Sequence, residues 1–146
     1  NTDESRFAIG YDESGKPYET TKNTTTNAAD DLHTTIEDYG NFLVNILNRG
    51  NLSENVYQEM LKKQVKTKEN KYFGLGFELY DLGNGEMAVS HGGSDLGSQC
   101  ITFLFPKTGN GILIFTNSTV GYKIFNPILK HYLGENGNKL IEIESK

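Results

Sequence analysis

The sequence predicts an α+β fold, in which an antiparallel sheet of about four to five strands packs against a C-terminal helix and follows an N-terminal helical segment. Two changes of pattern along the chain predict this fold. Between Thr34 and Leu61 apolar residues recur at intervals of three and four, which places them on one face of a helix. From Tyr72 onwards apolar residues alternate with small or polar ones, and this is the period of a strand.

The length of the chain indicates how these elements are organised. At 146 residues the chain has the size of one domain, so we predict a single unit. Its parts are an irregular N-terminal segment at 1–33, a helical segment at 34–70, and an antiparallel sheet with its terminal helix at 71–146.

Two helices are predicted in the helical segment. The first begins at Thr34, which has the spacing of a capping box with Glu37, and it ends at Gly50. The second begins after the capping residue Ser53 and continues into a solvated basic end, Lys62–Lys71. The predicted buried positions of the first helix are Ile36, Tyr39, Phe42, Leu43, Ile46 and Leu47.

Four consecutive strands are predicted next. The first contains the alternating stretch Phe73–Leu79, and the Asn84-Gly85 turn leads from it into a second strand at Glu86–Ser90. A third strand at Gln99–Phe105 and a fourth at Gly111–Thr116 flank a turn-forming segment that contains proline and glycine.

The C-terminal part is predicted to contain one helix and one more strand. The helix ends at Gly134, and Pro127 either kinks it or lies in its first turn. The tail Lys139–Glu144 alternates apolar and acidic residues over its second half, which predicts an edge strand.

Composition excludes several classes of function. The chain has 14 basic and 19 acidic residues and a net charge of −5, whereas nucleic-acid binders usually carry a basic surplus, so no nucleic-acid partner is expected. The longest apolar runs, Ile101–Phe105 and Ile112–Phe115, are too short to span a membrane. With Cys100 as the single cysteine and no closely spaced histidine pair, we expect no metal site and no cofactor.

The first residue is Asn1, without the pattern of a signal peptide, so we expect a segment upstream.

One cluster of residues is unusual, the stretch Ser90–Gly97 between two predicted strands. Its two adjacent glycines allow a backbone to approach a ligand closely and leave N–H groups free to bind an oxyanion. His91 adds a side chain that transfers protons near neutral pH. The alternative interpretation is structural: an irregular turn preceded by a histidine at the end of a strand.

Several segments together resemble the C-terminal half of the serine β-lactamase-like family. This family includes class C β-lactamases, penicillin-binding proteins, D-amino-acid-releasing peptidases and related esterases. The resemblance covers most of the chain, in order and spacing, and implies a partial β-lactamase/transpeptidase-like fold. Its segments are Arg6–Tyr11, Ala28–Leu32 with Thr34–Asp38 and Phe42–Leu43, Tyr72–Phe77, His91–Gly93 with Gly97, Phe105–Pro106 and Thr116–Ser118.

The resemblance implies roles for four residues. The family has a Lys-Thr-Gly or His-x-Gly box on the strand that lines its active site, and His91-Gly92-Gly93 fits the second form. By this resemblance His91 is catalytic and supports proton transfer, and the backbone N–H of Ser94 is an oxyanion donor. Gly92 and Gly93 are substrate-binding, since they keep that edge clear.

The family's nucleophile is a serine followed by a lysine one helical turn later, because that lysine takes the serine proton. No Ser-x-x-Lys occurs in these 146 residues. Two other motifs occur literally but in the wrong context. Tyr39-Gly40-Asn41 spells the family's Tyr-x-Asn on a predicted helix, and we interpret it as core packing. Lys107-Thr108-Gly109 spells Lys-Thr-Gly at a hairpin tip, and we interpret it as a turn.

These observations lead to three hypotheses. The first is the C-terminal part of a serine hydrolase that acts on a β-lactam, D-amino-acid peptide or ester and is not catalytically competent alone. The second is a non-catalytic binding or self-associating module with the same fold, because a missing N-terminal portion would leave a sheet edge exposed. The third is a two-chain enzyme in which a separate chain supplies the nucleophile. The resemblance also implies a periplasmic or cell-surface location and a small acyl or peptide substrate for the complete protein.

Overall fold

The computed structural model describes residues 7–19, 25–29 and 31–146. Its centre is an antiparallel sheet whose strand order follows the chain order. The predicted fold class is confirmed, with six strands in place of four to five. The strands are β1 (Val65–Lys68), β2 (Lys71–Phe73), β3 (Glu78–Gly83), β4 (Glu86–Asp95), β5 (Ser98–Phe105) and β6 (Asn110–Thr116). The helices are α1 (Ile36–Leu47), α2 (Glu54–Met60), α3 (Phe125–Leu133) and α4 (Glu135–Ser145), with a short 3-10 helix at Gly121–Ile124 before α3.

Each face of the sheet has its own hydrophobic core. The front face is the one on which α1 packs, and the rear face is the one on which α3 and α4 pack. The buried residues of the front core are Leu43, Phe77, Leu79, Val89 and Leu104. Those of the rear core are Tyr80, Leu82, Ala88, Phe103, Phe105, Leu129, Leu140 and Ile143. Residues two apart on one strand therefore face the same core, as the pleat of a sheet requires.

The first two helices begin close to their predicted positions. The N-cap of α1 is Thr35, whose Oγ1 accepts a hydrogen bond from the Asp38 N–H at 3.0 Å. The prediction that Thr34 caps this helix was therefore wrong by one residue. Ser53 caps α2 as predicted, because its Oγ accepts from the Val56 N–H.

The basic stretch Lys62–Lys71 is not a helix end, contrary to the prediction. Helix α2 ends at Met60, and the stretch forms β1 and the start of β2. The Gln64 N–H donates to the Phe73 carbonyl at 2.8 Å, which starts the pairing of these two strands. Lys63 and Lys66 are exposed and pair with nearby acids, and the buried Lys71 is paired with two glutamates, so these charges do not require a helix.

Two predicted strands also differ in the structure. The stretch Phe73–Leu79 is divided between β2 and β3, because Gly74 donates back to the Phe77 carbonyl and Gly76 has a φ of +83°. The tail Lys139–Glu144 belongs to helix α4, not to an edge strand. Leu140 and Ile143 lie three residues apart and enter the rear core. The alternating pattern did not indicate this helical spacing. Pro127 lies in the first turn of α3.

Candidate active site

The residues His91–Asp95 belong to strand β4, which is longer than predicted. They pair with β5 over their whole length, from His91 opposite Thr102 to Asp95 opposite Ser98. The interpretation of this stretch as an irregular turn was therefore wrong. Only Leu96 and Gly97 connect the two strands, and Gly97 has the positive φ of +71° that such a tight turn requires.

The other side of this segment is not paired with a strand in the described part of the chain. Pairing between β3 and β4 stops at Glu78 opposite Ser90, because the chain before Glu78 turns away through Gly74 and Gly76. We call the unpaired side of His91–Asp95 the free edge. A strand edge of this kind presents backbone N–H and C=O groups that an extended ligand can bind.

The four predicted site residues lie next to one another on the free edge, and all four are exposed. His91 and Gly93 face the front, and the His91 ring lies edge-on to Phe77 with 6.2 Å between ring centroids. Ser94 faces the rear, where its Oγ accepts a hydrogen bond from Gln99 Nε2 at 2.9 Å. The Ser94 hydroxyl is thus directed away from His91, and the part of Ser94 available at the edge is its backbone.

Gly93 lies against the thiol of Cys100, its partner on β5. A Cβ on Gly93 would lie 3.2 Å from Cys100 Sγ, so the glycine keeps this part of the strand in close contact with its neighbour. Cys100 is half-buried, and burial raises the pKa of its thiol. A raised pKa disfavours the thiolate, so Cys100 is a packing residue beneath the site and not an activated nucleophile.

The two literal motif matches have the structural roles that we inferred. Tyr39 packs against the front core, with its ring 5.6 Å from that of Phe115, and burial raises the pKa of its phenol. Lys107-Thr108-Gly109 forms the turn between β5 and β6, where the N–H groups of Thr108 and Gly109 donate to the Phe105 carbonyl. This turn is at the opposite end of β5 from the residues that pair with the free edge.

The N-terminal segment that contains Tyr11 and Tyr18 packs beside the β4–β5 turn. Both of these residues contact Thr119, to which the sequence analysis gave no role. The Tyr11 N–H donates to the Asn117 carbonyl, and the Thr119 N–H donates to the Tyr11 carbonyl. Thr119 Oγ1 accepts from the Gly97 N–H at 3.0 Å and lies 3.1 Å from the Tyr18 hydroxyl. This contact fixes the turn that ends the free edge. Arg6 and Asp30, which belong to segments of the family resemblance, lie outside the described residues.

Two features are absent from the described residues. None of their helices is both long enough and apolar enough to cross a bilayer. Within the same ranges, no group of three or more histidine, cysteine, aspartate or glutamate side chains is placed to hold a metal ion.

Comparison with known proteins places this geometry in context. The model of the family named Beta-lactamase matches residues 1–131. The structure is similar to a penicillin-binding protein from Bacillus halodurans, with a TM-score of 0.58, 18% identity and 66% of this chain covered. It is also similar to a D-stereospecific amidohydrolase from Streptomyces sp., with a TM-score of 0.50, 24% identity and 57% covered. The chain spans 30% and 25% of the lengths of these two proteins. A search of curated proteins found no significant match.

Proposed function

This chain belongs to the Beta-lactamase family, and we propose that it supplies the oxyanion-binding strand of a serine hydrolase that acts on acyl substrates. The observation that carries the proposal is the free edge. It presents His91, Gly92, Gly93 and Ser94 side by side, exposed, on a strand whose other side is held by β5.

The chemistry follows from the arrangement of this strand. An acyl group that lies along the free edge has its carbonyl oxygen close to backbone N–H groups, and the Ser94 N–H is the donor that we assign to it. Such donors stabilise the negative charge that develops on the oxygen during acyl transfer. Gly92 and Gly93 have no side chains that would cover the edge. The exposed His91 imidazole is the group that we assign to proton transfer.

The nucleophile must come from residues outside this sequence. Acyl-serine chemistry in this family depends on a serine that is activated by a nearby base, and no Ser-x-x-Lys occurs in the 146 residues. The chain also spans 30% of the penicillin-binding protein that it resembles, which supports a catalytic unit larger than this sequence. We propose that the nucleophile belongs to the same, longer chain. In a variant of this proposal, a second chain supplies the nucleophile. Co-purification of such a chain tests this variant. A periplasmic or cell-surface location is part of the proposal and depends on the family alone.

The first prediction concerns covalent labelling of the 146-residue chain. We expect no acyl-serine or phosphonyl-serine adduct with a β-lactam or a fluorophosphonate probe, as measured by intact mass, because no serine in the sequence is followed by a lysine three residues later. A complete serine hydrolase labelled in parallel is the control. A stoichiometric serine adduct on this chain would contradict the proposal that the chain alone is not catalytically competent.

The proposal that the nucleophile belongs to a longer chain is tested on the native protein. An antibody to this chain should recover a species heavier than 16.3 kDa whose additional sequence contains Ser-x-x-Lys and Tyr-x-Asn. A native species of 16.3 kDa, without a partner that carries these motifs, would refute the hydrolase function.

One observation favours the second function, a self-associating module. Among the described residues no strand pairs with the outer side of β6, and its sequence Asn-Gly-Ile-Leu-Ile-Phe-Thr contains no charge. The other edge strand, β1, is short and contains Lys66 and Lys68. Lysines on an edge strand hinder pairing with another chain, and an uncharged edge lacks this protection.

The second prediction tests this module. If β6 mediates self-association, sedimentation velocity should show dimers that increase with concentration, and Asn110→Lys at the exposed start of β6 should shift the equilibrium towards monomer at least five-fold. Val65→Lys on the already basic edge strand β1 is the matched control and should leave the equilibrium unchanged. A monomer at every concentration would exclude this function.

A further inference from the structure

We propose that Thr119 is a positioning residue of the candidate active site, because it holds the β4–β5 turn and, through this turn, the Ser94 N–H near the end of the free edge. This inference adds a residue from outside the free edge to the proposed function, on which its consequence for catalysis depends. The placement of the Ser94 N–H is a property of the chain itself and is measured without substrate.

The Asp95 end of the free edge has few contacts of its own. In the described part of the chain, His91–Asp95 pair with a strand on one side only, and Leu96 and Gly97 then form the turn into β5. Exposed turns and the ends of strand pairs are where native proteins open most readily. Ser94 lies two residues before this turn, so the position of its N–H depends on how firmly the turn is held.

The Thr119 hydroxyl joins this turn to the N-terminal segment. Thr119 Oγ1 accepts a hydrogen bond from the Gly97 N–H at 3.0 Å and lies 3.1 Å from the Tyr18 hydroxyl. A hydroxyl oxygen has two lone pairs and one proton, so it can make both bonds at once. One side-chain oxygen therefore links the turn to a segment from the other end of the chain.

Two glycines allow the N-terminal segment to lie directly on the turn. A Cβ on Gly10 would lie 2.9 Å from the Gly97 carbonyl oxygen, and a Cβ on Gly97 would lie 2.7 Å from Gly10 Cα and 2.8 Å from Tyr18 Cδ2. Gly97 is buried by this contact, whereas the six residues His91–Leu96 before it are exposed. We call Gly10, Tyr18, Gly97 and Thr119 the brace.

Backbone hydrogen bonds fix Thr119 in its place. The Thr119 N–H donates to the Tyr11 carbonyl at 2.9 Å, and the Tyr11 N–H donates to the Asn117 carbonyl at 3.0 Å. Asn117 Nδ2 donates in turn to the Ile9 carbonyl at 3.0 Å. Residues 9–11 thus run parallel to residues 117–119, and the Thr119 side chain extends from a held backbone towards the turn.

The position of the Ser94 N–H matters for the chemistry that we assign to it. A donor that stabilises an oxyanion must be in place before the charge develops. A misplacement of about 1 Å costs on the order of 100-fold in rate. The Ser94 side chain is held at the rear by Gln99, so the brace acts on this donor through the backbone between Ser94 and Gly97.

The experiment compares variants of the isotope-labelled 146-residue chain by NMR. Thr119→Val replaces the hydroxyl by a methyl group of similar size, and Thr119→Ser keeps the hydroxyl. We expect Thr119→Val to accelerate amide exchange of Gly97 at least ten-fold and to lower the order parameter of the Ser94 N–H from about 0.85 towards 0.6. Thr119→Ser should restore both values. The amides of Val89 and Leu104, which are paired far from the turn, should keep their exchange rates in both variants.

Gly10→Ala tests the brace from the other side. Its φ lies outside the left-handed region, so alanine is free to adopt it, and the added methyl group must push the Gly97 backbone away. We expect the same loss of order at Ser94 as in Thr119→Val. Gly40→Ala, where a Cβ meets nothing within 4 Å, is the matched control and should leave Ser94 unchanged.

The complete, longer protein shows the consequence for catalysis. With p-nitrophenyl acetate as the probe, Thr119→Val should lower kcat at least ten-fold and leave KM within two-fold, because the displaced donor fails only when the oxyanion forms. Thr119→Ser should restore kcat. An unchanged kcat in Thr119→Val would overturn the positioning role.

The outcomes separate this inference from the proposed function. An unchanged Ser94 order parameter in Thr119→Val and Gly10→Ala would overturn the inference. Faster exchange of Val89 and Leu104 by the same factor as Gly97 would show that Thr119 stabilises the whole sheet, and would overturn it as well. Absence of hydrolysis of both p-nitrophenyl acetate and a chromogenic β-lactam by the unmodified complete protein would contradict the proposed function, while the order parameter of Ser94 would still decide whether Thr119 positions it.

Discussion

Gly137→Ala should lower the free energy of unfolding by about 3 kcal/mol, the largest effect that we expect from a single added methyl group. Gly137 is buried in α4 where this helix crosses α3. A Cβ at this position would lie 2.2 Å from the Leu129 carbonyl oxygen and 2.6 Å from its carbonyl carbon. Backbone atoms cannot rotate away, so α4 must move off α3, and Leu140 and Ile143 must leave the rear core with it. Chemical denaturation followed by circular dichroism measures the loss.

Gly40→Ala is the matched control for this prediction. Gly40 lies within helix α1, and a Cβ there would meet nothing within 4 Å. Alanine is the better helix former, so this change should raise the stability by about 0.5–1 kcal/mol. If the two variants have equal stability, α3 and α4 are not packed as the structure shows.

The order of elements was predictable where a turn signal lay between two alternating segments. Strands β5 and β6 form around a segment with proline and glycine, and their observed bounds differ from the predicted ones by one residue. Helix α2 begins after Ser53 as predicted, because a side-chain oxygen that caps a helix is a local signal. These elements are determined by turn-forming and helix-capping residues that are close to them in the sequence, so the sequence alone predicts them.

Other elements depend on strand pairing and core packing between residues that are far apart in the sequence, and no local pattern predicts these contacts. Gly92 and Gly93 predict a turn by propensity, but pairing with β5 extends them as a strand. The five residues Leu140–Glu144 fit both a strand and a helix, and only the rear core, which takes Leu140 and Ile143 three residues apart, selects the helix.

The candidate site was predictable in its residues but not in its geometry. The cluster His91–Ser94 is visible in the sequence because its composition is unusual. The free edge is not visible, because it exists only where β3 stops pairing with β4, and this depends on the turn at Gly74 and Gly76. The turn before β3 thus leaves one side of β4 unpaired.

A partly buried ionic cluster on the rear face joins α4 to the sheet. Lys71 Nζ lies 2.7 Å from Glu78 Oε1 and 2.7 Å from Glu144 Oε1. The Tyr80 hydroxyl donates to Glu78 at 3.1 Å and also to Glu144. Three elements, β2, β3 and α4, are joined through these four side chains. The Lys71 side chain is 11% exposed, so its charge depends on the partners that the cluster provides.

Lys71→Met should therefore lower the free energy of unfolding at pH 7 by about 2 kcal/mol, measured by chemical denaturation. The change removes the cation between two carboxylates and leaves them with the Tyr80 hydroxyl and, for Glu144, the more distant Lys68 at 3.6 Å. The effect is smaller than for a fully buried pair, because the Glu144 side chain is 41% exposed. Lys66→Met is the matched control: its pair with Glu69, at 2.6 Å, is exposed on both sides, so this change should lower the free energy of unfolding much less than Lys71→Met does. Equal losses in the two variants would show that the cluster behaves as a surface pair.

The same cluster should set the dependence of stability on pH. Burial alone would raise the pKa of Glu144, but hydrogen bonds from Lys71 and Tyr80 outweigh it and hold that pKa below its ordinary value of 4.5. A lowered carboxyl pKa gives stability that is present above pH 4.5 and is lost as the pH falls through the folded-state pKa. Burial would lower the pKa of Lys71, but Glu144 and Glu78 raise it above 10.5, so its contribution is present below pH 10.5 and is lost as the pH rises further. Glu144→Gln should flatten the fall of Tm below pH 4.5, whereas an unchanged fall would assign acid unfolding to other carboxyl groups. Since Glu144 is the cluster's only member on α4, acid should weaken the contact of this helix with the sheet, while Leu140 and Ile143 still hold the helix in the rear core.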